Sequence, residues 1–321
     1  MIFGKVVRPS AMSLRWAFRY GSWNPTEEEW LKACASVQLE ECHRVSQFCY
    51  KRDAKASLVG RLLLRKAVSS LLGIPYKEII FNRTAAGKPF LMNSGVPAGF
   101  SVNISHQGSF TVLAAEIDRQ VGIDTMDIAR PANTSIQYFF RLMSSKFTES
   151  EWEYIRNGSS ISPQRECALP NSPADCTEQE QLGRFYRMWC LKESFIKADG
   201  KGLQISLQRM SFTPVEPGLS PSENMLSVGT VLHFDGALSS SWQFHEGYLD
   251  DTHLVCVCIG PEVTAANPLS SSPTSSMTNC FTHFTVEQLL DSVEEIHPKD
   301  RKWWNEFEPR EEVPRGQSAP T

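Results

Sequence analysis

No stretch of this 321-residue chain approaches the roughly 20 apolar residues that a membrane-spanning helix needs, the best run being Leu254–Ile259. The opening residues, Met1–Trp16, lack the continuous apolar core of a secretory signal, so the expected location is the cytosol and no membrane partner is expected. A large charge of one sign is missing too. With a net charge of −4 the chain has no general attraction for nucleic acid or anionic lipid, and no aromatic-rich basic motif stands in for one. The cysteines number nine, an odd count with no CxxC pair, which argues against a zinc ribbon or a disulfide framework. Cys256 and Cys258 alternate within a strand-like run and read as small apolar core residues. The G-x-S-x-G turn of a serine hydrolase is also absent. What remains, 41% hydrophobic and 21% charged, describes a globular chain able to bury one large core or two ordinary ones.

Taken in order, the chain mixes strands and helices. Leu14, Trp16 and Phe18 alternate as a strand, and Thr26 before Glu27, Glu28 and Glu29 marks a helix start. A second helix is expected near Gln38, and a long basic one from Arg52 to Leu72, stopped by Gly73-Ile74-Pro75. Lys55, Arg61 and Arg65 are expected on its solvated face, available to an acidic partner. Strands are expected at Ile79–Asn82, Pro89–Met92, Phe100–Ser105, Phe110–Glu116 and Val121–Asp124, and helices at Ile136–Met143 and Glu149–Ile155. The polar segment 157–181 reads as a surface insertion. The helix Arg184–Gly202 then precedes strands at Arg209–Phe212, Thr230–Phe234, Ser241–His245 and Thr252–Ile259.

A long helix followed by strands thus occurs twice. The expected class is α+β, with two similar α+β lobes facing a cleft: residues 1–118, then 119–260 with the insertion at 157–181. Residues 261–321 read as a Ser/Pro-rich, largely disordered tail that includes Trp303-Trp304. Within it, Phe281, Phe284, Leu289, Leu290, Val293 and Ile296 form an amphipathic patch able to dock on the body or on a partner.

Four stretches carry more polarity than a strand or turn requires. In Arg83-Thr84-Ala85-Ala86-Gly87-Lys88-Pro89, glycine permits close backbone approach while Arg83, Lys88 and Thr84 suit a phosphate; an ordinary polar hairpin turn reads equally from the pattern. In Asn103-Ile104-Ser105-His106, strand alternation places Asn103, Ser105 and Gln107 on one face and Ile104 and His106 on the other. Val121-Gly122-Ile123-Asp124 ends an apolar strand on a carboxylate, where metal ligands, catalytic acids and simple turn caps all occur. Glu193 and Lys197 stand four apart on one helix face beside the apolar stripe, either a solvated ion pair or a desolvated, tuned one. Asp124 and Glu193 together supply hard oxygen ligands of the kind Mg²⁺ takes.

The pairing of G-I-D at 122–124 with W-C-L-K-E-S-F-I-K-A at 189–198, preceded by R-T-A-A-G-K-P and N-I-S-H-Q-G, resembles the large-type (Sfp-like) 4'-phosphopantetheinyl transferases over residues 14–260. That resemblance implies a pseudo-dimeric fold binding coenzyme A and Mg²⁺ in the cleft, and transfer of the 4'-phosphopantetheine arm to a carrier-protein serine with release of 3',5'-ADP. By the resemblance, Arg44, Arg83, Lys88 and His106 hold the nucleotide phosphates, with 84–87 and Asn103, Ile104 and Ser105 lining the same pocket. Asp124 and Glu193 bind the metal, Glu193 takes the serine proton, and Lys197 stabilises the leaving oxygen. Many members of the family carry a carboxylate where this chain has Met126, a side chain that cannot ligate Mg²⁺. The implied partners are apo acyl carrier domains of the fatty acid synthase, mitochondrial or aminoadipate reductase types, met by a monomer. The competing expectation is a non-catalytic module that binds coenzyme A or carriers.

Overall fold

The computed structural model describes residues 13–84, 87, 89–131, 134–158, 177–200, 205–214, 219, 221, 224–263 and 280–313. The alternating strand β1 (Ser13–Arg19) leads into α1 (Glu27–Ala35), α2 (Leu39–Val45) and the long α3 (Lys51–Leu72). Thr26 starts α1 with a capping box: its hydroxyl accepts from Glu29 N, and Glu29 reaches back to Thr26 N. Gly73, at φ 66°, ends α3 in the left-handed conformation that glycine adopts without penalty. The hairpin β2 (Phe81–Arg83) and β3 (Pro89–Leu91) follows, then β4 (Ser101–Gln107), β5 (Phe110–Glu116) and β6 (Arg119–Asp127). Beyond it come α4 (Ile136–Leu142), α5 (Glu149–Asn157) and the second long helix, α6 (Glu178–Asp199). The strands β7 (Met210–Thr213), β8 (Ser227–Val228), β9 (Val231–Phe234), β10 (Ala237–Leu238), β11 (Gln243–Tyr248) and β12 (His253–Glu262) complete that half. The described chain closes with β13 (Thr282–Phe284), α7 (Val286–Asp291) and α8 (Lys302–Phe307).

Two four-stranded sheets, ordered β13-β1-β5-β4 and β6-β12-β11-β8, form the centre. Strand alternation explains how they stack. Leu113 and Ala115 of β5 pack with α3, whereas Phe110, Val112 and Ala114 meet Val255, Val257 and Ile259 of β12. Cys256 and Cys258 turn the other way, into the core built on α6, where they are buried as small apolar residues. The layers therefore run α3, sheet, sheet, α6, and β5 is buried along its whole length.

Along one side the two sheets are joined by side chains instead of backbone. Ser101 Oγ accepts from Val121 N at 3.1 Å, Asn103 Oδ1 accepts from Ile123 N at 3.1 Å, and Gln107 Oε1 accepts from Asp127 N. Alternate residues of β4 thus satisfy β6 amides that a neighbouring strand's carbonyls would otherwise serve.

Three expectations are corrected. The helix α6 begins at Glu178, inside the segment read as an insertion, because Thr177 and Glu180 form a capping box; residues 159–176 lie outside the described ones. Lys55 and Arg65 are not on a solvated face, being only 1% and 2% exposed. Lys55 Nζ donates to Trp23 O and pairs with Glu312, while Arg65 donates to Ile79 O and Tyr76 O, so neither can meet a carrier. Finally, the ending around Trp303 is core. Trp303 and Phe307, four apart on α8, are buried with Leu289, Leu290 and Val293 in the N-terminal core, and Phe307 stacks on Trp30 with centroids 3.7 Å apart. Trp30 Nε1 donates to Trp303 O, and β13 pairs in parallel with β1. The surrounding charges disguise this stretch, whose few large apolar residues share one face. The Ser/Pro-rich residues 264–279 lie outside the described ones.

Candidate active site

Strand alternation turns Gly122, Asp124 and Met126 of β6 toward α6. A Cβ on Gly122 would lie 2.1 Å from Ser194 O and 2.4 Å from Ala198 N, so only glycine lets the helix backbone rest directly on the strand. Cys190 Sγ, donating to Asp124 O at 3.2 Å, fixes the same contact one turn earlier. That close approach delivers Lys197 to the end of Asp124: Nζ donates to Asp124 Oδ1 at 2.7 Å and to Ser105 Oγ at 2.8 Å. Ser105 Oγ in turn donates to the same Oδ1 at 2.8 Å. Residues expected from three separate stretches therefore converge.

Asp124 Oδ2, by contrast, is buried without a hydrogen-bond partner. Glu193, one helical turn before Lys197, forms no hydrogen bond or ion pair among the described residues. Burial raises the Glu193 pKa above the usual carboxylate range, the nearby Asp124 charge adds to this, and Lys197 opposes it. A buried orphan oxygen and a second open carboxylate within its electrostatic reach fit a hard divalent cation that completes its shell with water and phosphate. Met126 is partly buried in the α6 core and supplies no donor. Asp127 lies on the opposite face, beside Gly108 and His253. Lys192, the other lysine of the helix motif, is buried and structural: it pairs with Glu151 and donates to Leu207 O and Met210 O.

His106 leaves β4 on the side of α3, opposite Ser105. His106 is exposed, yet desolvation first and the charge of Lys197 second hold its pKa below the usual histidine range. Ile104, on the same face, packs where a Cβ on Gly60 would come within 2.7 Å of its Cδ1. Asn103 spends its amide oxygen on β6.

Comparison with known proteins adds the family. Residues 21–118 match the family model described as "4'-phosphopantetheinyl transferase, N-terminal", and residues 120–258 match the "4'-phosphopantetheinyl transferase superfamily". The chain is 41% identical over 315 residues to the L-aminoadipate-semialdehyde dehydrogenase-phosphopantetheinyl transferase of Homo sapiens, covering 95% of this chain and 94% of that protein. It is 35% identical over 253 residues to the phosphopantetheinyl transferase of Thraustochytrium sp., covering 78% and 80% of the two chains. The chain belongs to the 4'-phosphopantetheinyl transferase superfamily.

In this transferase a second polar cluster stands on the N-terminal half. Arg83, ending β2, donates to Glu41 of α2 through Nε at 2.9 Å and Nη2 at 2.6 Å. Arg61 of α3 donates to the same carboxylate, and Arg44 lies 3.5 Å from it with its side chain half exposed. Burial alone would raise the Glu41 pKa, but Arg83 and Arg61 outweigh it and hold the carboxyl below its ordinary range. Arg83 Nη1 also donates to Gly87 O, closing a turn in which Gly87 N donates to Thr84 O. Ala85, Ala86 and Lys88, expected to take part here, lie outside the described residues. Glu41 escapes sequence reading because its partners are distant in sequence, and Arg61, expected on a solvated face, is instead turned to Glu41 with its side chain only 12% exposed; the only local signal is the spacing of Glu41 and Arg44 on one short helix.

Proposed function

We propose that this transferase moves the 4'-phosphopantetheine arm of coenzyme A to a serine hydroxyl of an apo acyl carrier protein and releases 3',5'-ADP. Mg²⁺ bound by Asp124 and Glu193 would supply charge neutralisation for the diphosphate under attack. The observation that carries the reading is the juxtaposition of an orphan Asp124 oxygen, an open Glu193 carboxylate and a lysine held at 2.7 Å.

Each residue has a task that follows from its surroundings. Glu193, whose pKa burial and the Asp124 charge raise above the usual carboxylate range, is the base that accepts the proton of the attacking serine directly or through water. The serine oxygen forms a bond to the phosphorus that carries the arm, and the bond from that phosphorus to the nucleotide-side oxygen breaks. Lys197 uses two of its three N–H groups on Asp124 and Ser105, leaving one for the oxygen on which charge develops. His106 and the arginines of the N-terminal half bind the nucleotide. Carrier domains of the fatty acid synthase, mitochondrial and aminoadipate reductase types are the proposed acceptors.

The test is intact mass spectrometry of apo carrier incubated with coenzyme A, Mg²⁺ and either the wild-type chain or Glu193→Gln. The carrier is expected to gain the arm with wild type, to lose that gain when the metal is chelated, and to gain it far more slowly with the variant. Coenzyme A that binds while no carrier changes mass would support a binding module in place of an enzyme.

A further inference from the structure

Around Glu41 the charge does not balance. One carboxylate faces the guanidiniums of Arg61, Arg83 and Arg44, while the side chains of Glu41 and Arg61 are only 14% and 12% exposed. Like charges held this close in a reduced dielectric repel one another, and an anion carrying two charges would relieve the excess. Coenzyme A has such a group to offer. Its diphosphate, where the bond breaks, belongs at Asp124, Glu193 and Lys197, which leaves the phosphomonoester on its ribose for a separate cationic cluster. His106 feels the charges of both Lys197 and Arg61.

We infer that Glu41 is a specificity-determining residue of this transferase, orienting Arg83 and Arg61 so that they read the 3'-phosphate of coenzyme A and distinguish it from the 3'-dephospho form. The choice of nucleotide rests on the reaction proposed above. Glu41 acts by orientation. It fixes the plane of Arg83 by gripping Nε and Nη2 while Gly87 O takes Nη1, so the remaining N–H groups keep one direction. Removing the carboxylate has two opposed consequences. Bare electrostatics would strengthen phosphate binding, whereas loss of orientation would weaken it; the inference commits to the second.

Titration calorimetry of adenosine 3',5'-bisphosphate and of AMP decides the matter, with wild type, Glu41→Gln, Arg83→Gln and the double variant. Wild type is expected to prefer the bisphosphate, and each single variant to weaken it by about tenfold or more, the scale of one charge-assisted hydrogen bond, with AMP unchanged. The double variant is expected to be no weaker than the weaker single, because the two residues act as one unit. In turnover, KM for coenzyme A rises and kcat holds. Unchanged or tighter bisphosphate binding by Glu41→Gln, or an equal loss for both nucleotides, overturns the inference. Should Glu41→Gln not fold, Glu41→Asp, which keeps the charge but shortens the reach to Arg83, carries the same comparison: weaker bisphosphate binding with AMP unchanged supports the inference, and unchanged binding overturns it. Since the readout is binding, a chain that discriminates the nucleotides yet modifies no carrier would defeat the proposed reaction and leave the phosphate reading intact.

Discussion

Lys197 bonds to Asp124 Oδ1 and Ser105 together, so its ammonium is aimed as well as charged. Lys197→Ala is therefore expected to lower kcat by about 10²–10⁴-fold, the range of a positioned acid–base group, and to lower the melting temperature as well, because buried Asp124 loses its cation; steady-state transfer assays and a thermal melt check both halves. Asp124, Glu193 and Lys197 were legible in the sequence because an Asp ending an apolar strand and a Glu→Lys pair at helical spacing are local patterns. Glu41 was not, because its partners lie 20 and 42 residues away and only the fold unites them. A second single-residue effect concerns pH. His245 is 1% exposed and its pKa is lowered to about 4, first by desolvation and then by Arg15 and Arg119. The unfolded chain binds this proton and the folded one resists it. Stability is thus full above the ordinary histidine pKa and declines as pH falls toward about 4, by roughly 3 kcal/mol at most from this group. Urea denaturation near neutrality and about two pH units lower should show a smaller loss for His245→Gln than for wild type.

Between elements, the active geometry depends on how closely α6 lies on β6. Gly122→Ala would place a methyl within 2.1 Å of Ser194 O, and neither backbone can yield without shifting the turn that carries Glu193 and Lys197. The expected cost is about 1–3 kcal/mol of stability, as for overpacking elsewhere, together with a large loss of transfer activity. A variant with full activity and an unchanged melting temperature would show that the helix has room to spare. The order of the main helices and strands up to Ile259 was readable, since Thr26, Gly73, Gly200 and the period-two strands are local signals. The start of α6 was not, because Thr177 and Glu180 cap it within a polar stretch that resembles a loop. Nor was the joining of β4 to β6, since Ser101, Asn103 and Gln107 look like the polar face of an ordinary strand until their partners are known.

At the level of the molecule, the N-terminal core takes residues from both ends of the described chain. Leu289, Leu290, Val293, Trp303 and Phe307 complete it. Burying each of these side chains is worth about 1.5–3 kcal/mol, so losing all of them approaches the whole stability of a domain, about 5–15 kcal/mol. A chain ending at Glu262 is expected to be insoluble or to lack a cooperative melt, and a cooperative melt near that of the full chain would refute this. Composition hid the dependence, because charged residues dominate the stretch while the apolar residues that matter are few and share one side. The parallel pairing of β13 with β1 also bears on biosynthesis. A nascent chain ordinarily folds its first domain while the second is still being translated. Here β1 and Trp30 must wait for β13, Trp303 and Phe307, so the first half of the message cannot yield a finished folding unit. The ribosome has to deliver the chain as far as Phe307 before β1 and α1 reach their final places.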